Sequence, residues 1–245
     1  MSEFKYNEPI ERKMYNFGNY KHSYQEGEIV LMCPHCLHME TISVTIDNKV
    51  GRHNINDFYT ETKYHGDCPN CKEFTEFECM DVNIAETIKI LNSKGYYTAF
   101  SCEGHIEEDV ITCLDTFSDP YIYFYFWKDS EILKEHPLPE TWKLDDNDIK
   151  AERFSIHDNI TDSIPEELWN DGNENKFILW LCDNWDKEKR LKDIYDWAVS
   201  LPDRDKEFKQ FKFNFAKTCG KTMLLNSANR YIEAHNKSIL ETGNE

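Results

Sequence analysis

Hydrophobic and polar positions alternate along the first third of the chain in short runs that read as strands. Glu28-Ile-Val-Leu-Met32 enters a turn at residues 33–36 and Thr41-Ile-Ser-Val-Thr-Ile46 leaves it, after which Asp47-Asn48 supplies hairpin chemistry. Residues 58–64 return toward a second turn, and Glu76-Phe-Glu-Cys-Met80 reads as another strand. The period then changes. Behind Asp81 or Asn83 as a cap, Ile84, Ile88 and Leu91 share one stripe of a helix that Lys94-Gly95 ends. Tyr96–Cys102, Pro120–Trp127 and Arg153–His157 read as strands, the second of them dense in aromatic and β-branched residues. Strand, helix, strand, strand predicts a small α+β sheet module.

From residue 174 the helical period takes over. Phe177, Ile178, Leu181, Cys182 and Trp185, then Leu191, Ile194, Tyr195 and Ala198, recur at helical spacing until Pro202. A second helix places Phe208, Phe211, Phe215, Cys219 and Met223 on a stripe, with Gly220 at a bend. Its basic residues, Lys206 to Lys221 and Arg230, could meet nucleic acid or a membrane surface, but read rather as a solvated face or as one turned toward the acidic middle of the chain. Residues 129–172 hold Pro137, Pro139, Pro165 and Asp145-Asp146-Asn147-Asp148, the pattern of a loop-rich connection.

Cysteine spacing changes the picture of the N-terminal strands. Cys33-Pro34-His35-Cys36 and Cys68-Pro69-Asn70-Cys71 are two copies of C-P-x-C among nine cysteines, an odd number that suits a disulfide framework poorly. Each turn presents two thiolates to one ion, and two turns complete the tetrahedron that zinc prefers. Redox chemistry of the thioredoxin kind needs one C-x-x-C opening a helix, not two copies among strands. Residues 28–80 resemble the zinc-ribbon family, which implies structural zinc on Cys33, Cys36, Cys68 and Cys71. His35 and His38 read as polar residues beside the first turn. The organisation expected is a zinc ribbon with an N-terminal extension over 1–80, the α+β sheet module over 81–160 and a helical region over 161–245.

A second constellation sits where the strand at 96–102 ends. Ser101-Cys102-Glu103-Gly104-His105 puts a thiol, a glycine turn and an imidazole at a sheet edge. His105 could activate Cys102 as a nucleophile, Cys102, His105 and Cys113 could hold a metal, and a turn with a buried thiol accounts for the same letters. Together with Leu91-Asn92, Gly95-Tyr96-x-Thr98 and the aromatic strand, this run resembles a module of low-GC bacterial and phage proteins. More distantly it resembles the Ser-Cys-Ser-Gly-Arg region of the wybutosine-synthesising tRNA methyltransferase family. The resemblance implies the position of a site at Ser101, Cys102 and His105. It carries no reaction, because Glu103 and His105 stand where that family has Ser and Arg.

Charge narrows the function classes. Asp and Glu number 46 against 28 Lys and Arg, a net charge of -18, most of it in residues 81–170. Such a surface repels phosphate and disfavours nucleic acid there, leaving simple solvation or a protein partner with a basic surface. No apolar run reaches the roughly 18 residues of a membrane span, and the polar start predicts a cytoplasmic protein. No Walker loop, G-x-G-x-x-G, H-E-x-x-H or G-x-S-x-G occurs. The function expected is an acidic zinc-binding protein acting by protein–protein interaction, such as a phage or mobile-element regulator of host machinery. The alternative is a nucleotide- or RNA-modifying enzyme using Ser101, Cys102 and His105.

Overall fold

The N-terminal alternation becomes an antiparallel meander of β1 (Arg12–Phe17), β2 (Tyr20–Met32) and β3 (Met39–Lys49) in a computed structural model, which describes residues 12–17, 20–49, 65–106, 117–145, 154–169, 174–211 and 213–214. Strand β3 takes one whole edge of β2, from Met32↔Met39 to His22↔Lys49. The other edge is shared end to end by β1 and by β6 (Glu78–Asp81), the latter paired with Ile29–Met32. Asp47 and Asn48, expected to turn a hairpin, are ladder residues opposite Tyr24 and Ser23. Strand β2 runs back to Tyr20 and supplies partners for their backbone groups, which outweighs their turn preference. Between these strands, β4 (His65–Asp67) and β5 (Phe74–Glu76) make a short hairpin. The strand expected over 58–64 lies outside the described residues.

Helix α1 (Val82–Ser93) follows β6 directly and leads into β7 (Thr98–Cys102). After a small pairing of β8 (His105–Ile106) with β9 (Phe117–Ser118), β10 (Tyr121–Phe124), β11 (Trp142–Asp145) and β12 (Phe154–Asp158) complete a second antiparallel sheet in the order β11-β12-β10-β7. The predicted stripe of α1 is buried, and Ile84, Ile88 and Leu91 join Val30, Met32 and Met80 of the first sheet and Ile122, Phe124, Phe154 and Ile156 of the second in one core. Within it Phe124 and Phe154 stack with ring centroids 4.4 Å apart. Fully burying such side chains contributes about 1.5–3 kcal/mol each.

The apolar run from 177 to 198 divides into two helices, α2 (Glu174–Asn184) and α3 (Lys187–Ser200). Asp186 makes the break: its carboxylate accepts from Lys189 N and caps α3. The division sends the halves to different cores. Leu191, Ile194, Trp197 and Ala198 of α3 pack on α1, whereas Leu181 and Trp185 pack with Ile160 and Ile164 of the 3-10 turns before α2. Helix α3 ends at Ser200, with Leu201 extended ahead of Pro202 as a residue before proline should be.

Residues 1–202 and 203–245 form two compact units. Within the second, Asp205 opens a helical turn by accepting from Phe208 N at 2.9 Å, and Arg204 lies over the Phe208 ring. The rest of the predicted aromatic stripe, Phe215, Cys219 and Met223, lies outside the described residues. Among the described residues no helix is long and apolar enough to cross a membrane.

Candidate metal centre and the Ser-Cys-x-Gly-His turn

The two C-P-x-C turns are built alike. Cys33 N donates to His38 O at 2.8 Å and Cys68 N to Glu73 O at 3.0 Å, while the carbonyls of Cys33 and Cys68 accept from Leu37 N and Lys72 N at 2.9 Å each. Leu37 and Lys72 are left-handed, with φ of 57° and 63°. That conformation costs a non-glycine residue about 1–2 kcal/mol, yet it recurs at the same position of both turns. The repetition shows that the paired hydrogen bonds, not a glycine, fix this backbone. The first turn joins β2 to β3 and the second joins β4 to β5, so each pair of thiols projects from the tip of a hairpin.

All four sulfurs converge. Cys33 Sγ lies 3.8 Å from Cys71 Sγ, Cys36 Sγ lies 3.7 Å from Cys68 Sγ, and the four lie within 4.8 Å of one another. A tetrahedral ion with metal–sulfur bonds of about 2.3 Å holds its sulfurs about 3.8 Å apart, so the set fits a metal ion. Cys33 and Cys68 are buried, whereas Cys36 and Cys71 are partly exposed. Burial pushes the Cys33 thiol up to about 12, helped by the neighbouring thiols and opposed by the amides of Cys36 and His35. At Cys36 burial acts in the same sense, but hydrogen bonds from Asn70, the His38 amide and the other thiols outweigh it and bring the thiol down to about 6. A cation at the centre would favour all four thiolates. His38 is outside this group and approaches Glu40 at 3.4 Å.

The letters of the second constellation each acquire a place in the fold. Leu91 is core; the Asn92 side chain donates to Thr98 Oγ1 at 3.0 Å and accepts from Thr98 N at 3.2 Å, tying the end of α1 to the start of β7. Gly95 adopts the left-handed conformation that turns the chain, and Tyr96 Oη donates to Pro202 O. Cys102 is 9% exposed and its sulfur accepts from Gly104 N at 3.3 Å. Cys102 stands opposite Tyr121 and Ser101 opposite Ile122 in the β7–β10 ladder. The His105 backbone pairs with Ser118; its imidazole, like Cys113, lies outside the described residues.

Glu103 is the residue the sequence reading missed. It is buried, accepts from Asn83 N at 2.8 Å and Asn83 Nδ2 at 3.1 Å, and pairs with Lys187 Nζ at 2.8 Å. It therefore caps α1 from the far end of β7. Asp81, at the N-cap position, makes no side-chain cap and accepts from Glu103 N instead. Local sequence holds no signal for a cap supplied twenty positions downstream; the sole hint was an acid between Cys102 and Gly104 at the end of an apolar strand.

Two expected outcomes follow. Gly104 has φ of +82°, and an added Cβ would lie 2.7 Å from Pro120 Cδ. Gly104→Ala is therefore expected to lower stability by more than about 1 kcal/mol, where a glycine replacement at a compatible backbone position would raise it, measured by urea unfolding against wild type. Cys102, buried against Gly104 N, is expected to react with iodoacetamide far more slowly in native than in urea-unfolded protein; equal rates would mark an accessible thiol.

The fold and site define a mixed α+β protein of antiparallel sheets and helices with a four-cysteine centre able to hold a metal ion. No family model, curated protein or solved structure matches the chain.

Proposed function

We propose that this chain is a zinc-stapled binding protein that acts through its surface on a basic protein partner. The observation that carries the reading is the closed set of four cysteines, whose spacing suits one tetrahedral ion and leaves no ligand position for water or substrate. Zinc is the ion that best suits four thiolates in that geometry, and it would fasten the two hairpins as a zinc ribbon. The internal charges support the same reading, since Glu103 with Lys187 and Asp158 with Arg190 are buried pairs that hold elements together. Among the described residues Phe74, Phe100, Trp169, Leu179 and Phe211 are exposed apolar side chains, in a chain whose net charge is -18.

The test is made on the full chain. Freshly purified protein should carry one zinc, and, once immobilised, should retain a single basic protein in stoichiometric amount, released by salt. Less than about half an equivalent of zinc overturns the metal assignment. Retention no greater than on a Cys33→Ser, Cys68→Ser variant overturns the interaction.

A further inference from the structure

Strands β7, β10, β12 and β11 bury one side against α1 and α3 and turn the other outward. On the outer side the register sets Phe100 opposite Tyr123, and Tyr121 opposite His157. Phe100 is 59% exposed. The rings form one patch: Phe100 to Tyr123 at 6.5 Å, Tyr121 to Tyr123 at 5.3 Å, and His157 at 5.7 and 6.0 Å from the two tyrosines. Carboxylates flank it, Asp119 at 3.2 Å from His157 Nδ1 and Asp145 at 3.6 Å from His157 Nε2, each side chain about a quarter exposed. Lys143, opposite His157, is held by Asp162.

Ser155, His157 and Asp119 form a hydrogen-bonded chain, with Ser155 Oγ at 3.2 Å from His157 Nε2. Ser155 is 0% exposed, so the chain presents no nucleophile. It fixes the imidazole beside rings that meet edge to face, Phe100 and Tyr123 at 81° and Tyr121 and Tyr123 at 83°. Aromatic rings beside carboxylates attract a cation whose body is also planar: guanidinium stacks on a ring face and at the same time hydrogen-bonds a carboxylate.

Resting on the reading above, we infer that this outer sheet face is the docking surface, and that its occupant is an arginine-bearing basic segment of the partner protein, whose guanidinium stacks on the ring of Phe100 or of Tyr123, which stand at 81° to each other, and is paired by Asp119 or Asp145. Charge complementarity selects that occupant over nucleic acid, whose phosphates the same carboxylates would repel.

The experiment titrates the zinc-loaded full chain at low salt with labelled oligoarginine, oligolysine of equal length, and oligothymidylate. Oligoarginine should bind tightest, and on wild type it should shift the ring signals of Tyr121, Tyr123 and His157 in NMR spectra. The pair Phe100→Thr, Tyr123→Thr, which keeps strand-forming side chains, should weaken it on the order of tenfold. Asp119→Asn with Asp145→Asn should weaken binding and flatten its salt dependence, whereas Glu131→Gln with Glu135→Gln, the same charge change at exposed sites on the 3-10 helix after β10 and at its C-cap, should not. Equal affinity in the aromatic variant, equal loss in the Glu131 and Glu135 control, unshifted ring signals or preferential binding of oligothymidylate each overturns the assignment. Should the aromatic variant melt early, the wild-type ring shifts decide. A partner retained equally by wild type and the aromatic variant would overturn this surface alone; absence of any retained partner would overturn the interaction reading, with the peptide titration still deciding the chemistry of this face.

Discussion

Arg190→Met is expected to cost about 3–5 kcal/mol of stability, because it leaves a carboxylate buried without its cation. Asp158 is 0% exposed. Its Oδ1 accepts from Arg190 Nη1 and from Ile160 N at 2.7 Å, and its Oδ2 accepts from Trp185 Nε1 at 3.2 Å. Arg190 Nη1 also donates to Asn159 Oδ1 at 3.1 Å, and its backbone carbonyl accepts from Trp142 Nε1 at 3.0 Å. The pair thus joins β12 to α3 and, through Trp185, to the end of α2. Replacing both partners, Asp158→Leu with Arg190→Met, should cost less than the sum of the single changes, since apolar groups need no partner in the interior.

The pH dependence has a definite sign. Burial already pushes the Asp158 carboxyl up against the pull of Arg190, the Trp185 indole and the Ile160 amide, and losing Arg190 removes the largest opposing influence. A carboxyl whose folded-state pKa is raised contributes stability below its unfolded value near 3.9 and loses it as pH rises through the folded value. The deficit of Arg190→Met should therefore be small in acid and grow toward neutral pH. Urea unfolding at several pH values measures it, and a deficit under about 1 kcal/mol at pH 7 would show that the pair is dispensable.

Emptying the zinc site proposed above is expected to have the largest effect of all. Structural zinc in small modules contributes on the order of 10 kcal/mol to the folded state, because no preformed site exists in the unfolded chain. Here the site is continuous with the main core: Cys33 follows Met32, which is 0% exposed, and Met80 on β6 pairs with Val30 on β2. Chelation, or Cys33→Ser, should therefore lower zinc to less than about half an equivalent, make residues 28–80 protease-sensitive and lower the thermal midpoint of residues 1–202 as well. Ligand deprotonation accompanies binding, so zinc affinity should fall as pH is lowered. A chelated protein that melts as the loaded one does would show that the four thiols support the fold by packing alone.

The four-cysteine cluster was legible because its signal is local and repeated. Two C-P-x-C turns, each between runs of alternating residues, announce their chemistry within four positions, and the stripe Ile84, Ile88, Leu91 announces a buried helix face by its period alone. Even there the left-handed Leu37 and Lys72 left no trace, since neither residue type favours that conformation. The letters of the run from Leu91 to Gly104 were visible, but their roles were not: Asn92 ties α1 to Thr98, Glu103 caps Asn83 and pairs with Lys187, and Gly104 accommodates Pro120. The same holds for Asp158 with Arg190, and for Asp47 and Asn48, whose turn preference yields to the ladder that β2 offers. Patterns of period and spacing are written within a few residues and so survive as sequence, whereas a hydrogen bond between residues 84 positions apart, as in Glu103 with Lys187, exists only once the helices and sheets have packed. What the sequence determined was the buried stripe of α1, the strands beside the first C-P-x-C turn and which thiols meet; the tertiary structure made a strand of Trp142–Asp145 inside a run that reads as loop, and decided which polar groups are buried together, because their desolvation must be offset by partners that only the packed chain brings within reach.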